Sequence, residues 1–354
     1  MDPRKYIPAF LQYEYEQEHP GLTPAAEALL HERIEQDPDS YATSVQAQAL
    51  ISYACVREQL IYGIEHLEEL PDEEFDKKRE ALFNDIRLSL FKIIETDRSC
   101  IDAQLLNILL ADVPLDNCLG DIMQLEEQAC EYLSTTVADF DADAPHYWNE
   151  SLSEEEMARR TLSCPMMIGW LHTLEALSTG CLGSARYRAA ITYARRVMRA
   201  RGYDNRAVGT ILLAQARLED EDGFFATVHE GGEELESSPW YLLGRTLLLY
   251  KLGRRKNARR AARDFAQRCD GGAFFLLNPT YLTPYLPTRP EPQEPWNLTH
   301  QAVWEADSII VDTPDFPAWI QSIEGMEELS EEFARRQGFK DRAAVAVVRG
   351  GTTQ

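Results

Sequence analysis

The chain has 354 residues, 44% of them hydrophobic and 27% charged, which is enough to bury one large core or two ordinary ones. Its net charge of −24 is one-sided: residues 1–157 carry 35 acidic and 10 basic side chains, residues 158–354 carry 24 and 25. That field disfavours non-specific nucleic-acid binding by the N-terminal half, leaving solubility or an acidic surface for a basic partner as its use. No apolar run approaches the roughly 18 residues of a membrane span.

The N-terminal MDPRKYIPAF lacks the apolar core and cleavage site of a signal peptide. The seven cysteines have irregular spacings and no CxxC, as expected of reduced, mostly buried thiols in a cytoplasmic protein. Paired metal-ligand spacing is absent, so no metal and no cofactor is expected.

Helical periodicity then dominates. Thr23-Pro24 reads as an N-cap followed by proline at the first helical position. Val45, Ala49, Ser52, Val56, Leu60, Ile64 and Leu67 recur every three to four residues, as one face of a helix does. Phe83, Ile86, Leu90, Ile93 and Ile94 repeat the pattern, and so do Ile101, Leu105, Ile108 and Leu109. Ser153 with Glu156 has the form of a capping box, and Ser238-Pro239 is another cap-and-proline start. The most β-prone run, Ala343–Val348, reads as a short strand or a helix end.

Three segments between residues 170 and 270 share a helix–turn–helix plan. Ala190, Ala194 and Val197 in the first find counterparts in Ala258, Ala262 and Phe265 of the third, and Leu252-Gly253 marks the third turn. The middle segment places EDED at its turn. Aligning Val228 with Ala190 and Ala258 gives uneven spacings of 38 and 30 residues. This plan resembles the tetratricopeptide repeat, a helix pair of about 34 residues. The resemblance implies an all-α, tetratricopeptide-like α-α superhelix, or solenoid; a non-repeating helical bundle is the competing architecture.

Seventeen of the 35 basic residues fall between 186 and 268, nearly all within these segments. Arg255, Arg259 and Arg263 step by four, as do Lys256 and Arg260. Three uses stay open: pairing with the chain's own acids, including EDED, docking an acidic protein partner or peptide, and binding nucleic acid.

Residues 278–296, NPTYLTPYLPTRPEPQEPW, hold six prolines and read as neither helix nor central strand. Pro284 to Arg289 fits the PxxP-plus-basic pattern that SH3-type grooves accept. The crowding of Phe274, Phe275, Leu276, Leu277, Tyr281, Leu282, Tyr285, Leu286 and Trp296 argues instead for a strap packed on the helices, since disordered linkers avoid such residues. Beyond it, Ala302, Val303, Ala306 and Ile310 outline another helix, and the VVRGGTTQ tail reads as a frayed terminus. Asn278-Pro279, Tyr281, Pro284-Tyr285-Leu286, Ala302, Glu305-Ala306, Thr313-Pro314 and Ala318-Trp319 resemble the C-terminal arrangement of the suppressor of tumorigenicity 7 family and its bacterial tetratricopeptide relatives. That resemblance carries over no catalytic residue.

The expected organisation is an acidic helical region at 1–157, tetratricopeptide-like repeats at 158–273, a proline and aromatic strap at 274–298, and a helical cap and tail at 299–354. The expected function is a non-catalytic scaffold or adaptor for a protein or peptide partner, with nucleic acid and membrane disfavoured. No HExxH, GxSxG, P-loop or dinucleotide fingerprint occurs. The alternatives are a helical enzyme using His146, Tyr147, Trp148 and His172, and a nucleic-acid-associated regulator using the arginines of 186–268. In tetratricopeptide solenoids the first helix of each pair lines the groove. The resemblance therefore points to Trp170, Thr173, Arg206, Thr210, Arg217, Tyr241 and Arg245 as partner-binding residues.

Overall fold

The computed structural model describes residues 2–67, 70–149, 152–200, 206–282 and 292–339. The expectations for Pro284–Arg289, for Tyr285 and Leu286, for Ala343–Val348 and for the C-terminal tail lie outside the described residues. Among those residues the protein is all-helical, with 17 α-helices and two short 3-10 segments; the only extended pairing is an isolated bridge between Phe140 and Trp148. Among the described residues, no helix is long and apolar enough to cross a membrane.

The chain divides into two compact units, Met1–Leu177 with Arg196–Asn205, and Ser178–Arg195 with Arg206–Gln354. This division and the boundary read at residue 157 fall in different places.

The first unit contains α1 (Pro3–Glu18), α2 (Pro24–Gln36), α3 (Val45–Leu67), α4 (Asp72–Thr96), α5 (Ile101–Leu109), α6 (Leu115–Thr136), α7 (Glu154–Leu162) and most of α8 (Pro165–Gly183). From α3 to α6, successive helices pack as neighbours, while α1 packs on α2, α3 and α7. The expected caps form: Thr23 Oγ1 accepts from Ala26 N, and Ser153 Oγ from Glu156 N. Glu156 turns its carboxylate to Arg159, at 2.7 and 3.0 Å.

The second unit holds most of α9 (Tyr187–Met198), then α10 (Ala207–Arg217), α11 (Glu221–Glu236), α12 (Pro239–Lys251), α13 (Arg255–Arg268), α14 (Gly272–Leu277), α15 (Pro295–Val311), α16 (Asp315–Gln321) and α17 (Met326–Gln337). α10 packs on α11 and α12, and α12 on α13 and α15. α10 and α12 are buried almost all round. α13 is sharply two-faced, with Ala258, Ala261, Ala262, Phe265 and Ala266 inside and its cations outside.

The turns after α8, α10 and α12 are built alike. Each ends in a left-handed residue whose neighbour's N–H reaches back to the first helix: Ala185 with Arg186 N to Cys181 O (2.8 Å), Glu219 with Asp220 N to Gln215 O (3.0 Å), and Gly253 with Arg254 N to Leu249 O (3.0 Å). This is the Schellman closure of a helix. The three residues stand at 185, 219 and 253, a constant step of 34 residues.

That step corrects the alignment of the middle segment. The counterpart of Ala190 and Ala258 is Phe224, not Val228. Phe224 is fully buried and fits because Gly244 of α12 faces it; a Cβ there would sit 3.2 Å from the Phe224 ring. Volume added on one helix is removed from the other.

The strap is partly helical, which corrects the expectation that 278–296 excludes helix. Pro279–Tyr281 forms a 3-10 turn, and Pro295 occupies the first turn of α15, where its missing N–H is harmless. Phe274 and Phe275 join Tyr281, Trp296, Phe333 and Phe339 in one aromatic cluster, so these ends of the strap are packed. Along α15 the inward face is Ala302, Val303, Ala306 and Ile309, with Ile310 only half-buried.

Candidate functional site

The most chemically distinctive surface is the outer face of α13. Arg255, Lys256, Arg259, Arg260 and Arg263 line a shallow open cleft of about 400 Å³. All but the half-buried Arg263 are exposed. The alanines on the opposite side allow this arrangement, because they let the helix settle closely on α12 while every long side chain points outward.

The cations at the edges of this face are engaged within the unit. Arg254 makes a two-pronged pair with Glu221, at 2.5 and 2.7 Å. Arg255 lies over the Tyr250 ring at 3.6 Å, and Arg263 approaches Glu324 at 3.5 Å. Arg336 pairs with Asp270. The centre differs: Lys256, Arg259 and Arg260 have no hydrogen-bond or ion-pair partner among the described residues.

The seven residues chosen from the sequence do not form one surface. Trp170, Thr173 and Thr210 have no exposed area, and Tyr241 has 7%. These four are packing residues, which corrects their assignment to an open groove. First helices α10 and α12 are enclosed by neighbours on several sides, so no broad face of them is left open. Arg206, Arg217 and Arg245 are half-buried. Arg206 reaches Gln301 at 3.5 Å, and Arg217 holds Asp312 with its Nε at 2.8 Å while lying over the Tyr187 ring.

Three carboxylates are buried: Asp102 and Glu126, which were not singled out from the sequence, and Glu305, which was noted only for a resemblance. Asp102 accepts from Tyr6 Oη at 2.6 Å and pairs with His172 Nδ1 at 2.7 Å, tying α1, α5 and α8 together. Burial raises the Asp102 pKa, but the His172 ring and the Tyr6 hydroxyl outweigh it and hold the carboxyl below its usual range. Burial, and then the Asp102 charge, push the Tyr6 phenol well above its usual value. Glu126 accepts from Trp170 Nε1 at 2.8 Å and from Arg196 at 2.6 Å. Glu305 accepts from Trp240 Nε1 at 2.8 Å. The available signal was an acid inside an apolar stripe: Glu126 lies among Ile122, Leu125, Ala129 and Leu133, all buried.

At the N-terminus, burial opposes ionisation of Asp2. Hydrogen bonds from Arg4 and the Arg57 guanidinium at 3.4 Å nevertheless bring its pKa to about 2.

The residues of the enzyme alternative have structural work. Tyr147 and Trp148 are buried, and the Tyr147 hydroxyl donates to the Arg196 carbonyl. His146 accepts from Trp148 N at 3.3 Å, whereas His172 is committed to Asp102. No group of His, Cys, Asp and Glu suited to a metal ion occurs among the described residues.

Comparison with protein-family models, with curated proteins and with solved structures returned no match. The chain is therefore characterised by its own geometry: an all-α protein whose second unit repeats one helix-closing turn at a fixed interval and carries a cationic helix face.

Proposed function

We propose that this protein is a non-catalytic scaffold built on tetratricopeptide-like helix pairs, binding a protein or peptide partner through its surface. The observation that carries the reading is the 34-residue step between Ala185, Glu219 and Gly253, each closing a first helix in the same way. About 34 residues is the tetratricopeptide period, and stacked helix pairs of this kind present extended surfaces to partners. The buried histidine, tyrosines and carboxylates support the same reading, because each serves the packing of helices. All seven cysteines are free, which fits a cytoplasmic setting.

The test is affinity capture with the full chain at low and high salt, followed by the same capture with the first helices unchanged and the α13 cations reversed. A specific partner retained by the wild-type chain is the expected result. Recovery of no specific partner at either salt refutes the scaffold reading.

A further inference from the structure

We infer that the outer face of α13 is a docking site for an acidic helical segment of a partner protein, one with carboxylates spaced four residues apart. This rests on the scaffold reading and names its site and ligand chemistry.

The fold does not require these cations. The 34-residue step makes α11 an internal control, since it supplies the equivalent outer positions of the preceding pair. Opposite Arg255, Lys256, Arg259, Arg260 and Arg263 it has Glu221, Asp222, Phe225, Ala226 and His229. The same helix position thus works with acidic, apolar or neutral side chains.

The placement also opposes helix electrostatics. The N-terminal end of a helix favours anions, yet α13 has no acid in its first turn and begins Arg254-Arg255-Lys256. Arg254 is paired with Glu221, and Arg255 is held over the Tyr250 ring. Lys256, Arg259 and Arg260 have no such partner among the described residues and stay open to solvent.

Spacing selects the occupant. Of the unmatched cations, Lys256 and Arg260 form one four-residue row, and Arg259 stands beside them in a second row whose ends, Arg255 and Arg263, already meet Tyr250 and Glu324. Four residues of helix rise about 6 Å, so each row repeats at about 6 Å. Glutamates at four-residue intervals on a second helix repeat at the same distance. Arginine forks bind carboxylates two-pronged, as Arg254 does with Glu221. Single-stranded nucleic acid is less suited, because the cleft is lined by cations alone with no aromatic platform for bases.

The experiment uses the full chain and a labelled, end-capped peptide of about 16 residues, long enough for a marginal helix, with glutamate at every fourth position in an alanine-rich background. Binding is followed by fluorescence anisotropy at about 50 mM and about 300 mM salt. A peptide of identical composition with its glutamates clustered, and a single-stranded oligothymidylate, are the comparison ligands. The spaced peptide is expected to bind at low salt, to gain helicity on binding and to outcompete the clustered one. Lys256→Glu with Arg259→Glu and Arg260→Glu should weaken it at least about tenfold, while Arg259→Lys with Arg260→Lys retains most binding. The exposed positions should leave the far-ultraviolet spectrum unchanged. Equal binding to the triple variant, no binding at low salt, or tighter binding of the oligothymidylate each overturns the assignment. If the peptide fails while affinity capture still yields a specific partner, the α13 assignment falls and the scaffold reading stands; if capture also fails, both fall.

Discussion

The contact between α10 and α12 gives a sharp test of the packing. Gly209 sits against Trp240, and a Cβ added there would lie 2.4 Å from both Cγ and Cδ1 of the indole. Carbon atoms in ordinary contact are about 3.5–4.0 Å apart, so the ring has to move by more than about 1 Å. It has little freedom to do so. Trp240 is 5% exposed, and its Nε1 donates to buried Glu305 at 2.8 Å. Gly209→Ala therefore overpacks the seam, at about 1–3 kcal/mol, and strains or breaks a hydrogen bond to a charged group worth about 1.5–3 kcal/mol. Against this stands a gain of about 1 kcal/mol in helix propensity. The net is a destabilisation of roughly 2–4 kcal/mol, or a melting temperature lowered by roughly 5–15 °C for a unit of this size. Gly120→Ala in α6 is the control, because nothing lies within 4 Å of a Cβ there. It should stabilise by about 0.5–1 kcal/mol. Urea unfolding followed by tryptophan fluorescence and far-ultraviolet circular dichroism measures both. A Gly209→Ala chain as stable as wild type, or more so, means that α10 and α12 do not meet through this glycine.

Asp102→Asn removes the charge that His172 and Tyr6 face, and breaking a buried pair of this kind should destabilise by about 3–5 kcal/mol at neutral pH. Because the Asp102 carboxyl is depressed in the folded state, its contribution is present above the unfolded carboxylate value of about 3.9 and is lost as pH falls through the lower folded value. The gap between wild type and Asp102→Asn in urea midpoint should therefore close below about pH 4, and a constant gap down to pH 2 refutes the ionised assignment. In native protein, Cys55 should react first with a thiol reagent, while Cys100, Cys181 and Cys269 react only on unfolding. Burial pushes the Cys269 thiol to about 12, and mass mapping of a timed alkylation reads the order. Lys256→Glu should raise stability by about 0.3–1 kcal/mol, since it places an acid near the start of α13 and relieves like-charge crowding. A loss of stability in a thermal melt would make Lys256 structural.

The helices were legible wherever one face is apolar and the ends carry caps. Residues 45–67 show this, as do the starts at Thr23 and Ser238, because periodicity and capping are local properties. The register of the middle pair was not legible. Phe224 stands where small residues stand in its neighbours, and only the facing Gly244 explains why it is tolerated. The partner-facing residues failed for a related reason. Trp170, Thr210 and Tyr241 were assigned by helix order, but α10 and α12 are apolar on nearly every side and read as buried once that is counted. The α13 face, in contrast, was visible as a four-residue recurrence of arginine; what the sequence withheld was which of those cations the unit itself satisfies.

That division between satisfied and unsatisfied cations separates folding from recognition. Arg196, Arg217 and Arg254 belong to the same basic stretch, yet each is matched by a carboxylate inside its own unit: Glu126, Asp312 and Glu221. Matching of this sort supplies charge-assisted hydrogen bonds, and it consumes the acids that lie within reach. On α13 the acids are used at the rim, by Glu221 on one side and Glu324 on the other, and none is supplied to the centre among the described residues. A helix whose first turn is cationic and whose middle carries unmatched charge is less stable than it needs to be. The alanine face already fixes α13 against α12, and the equivalent positions in α11 manage without a cation. Local rules that a fold breaks without structural return mark positions kept for another purpose. Lys256, Arg259 and Arg260 are those positions, and an anionic surface outside this chain would turn their unfavourable placement on α13 into a favourable contact.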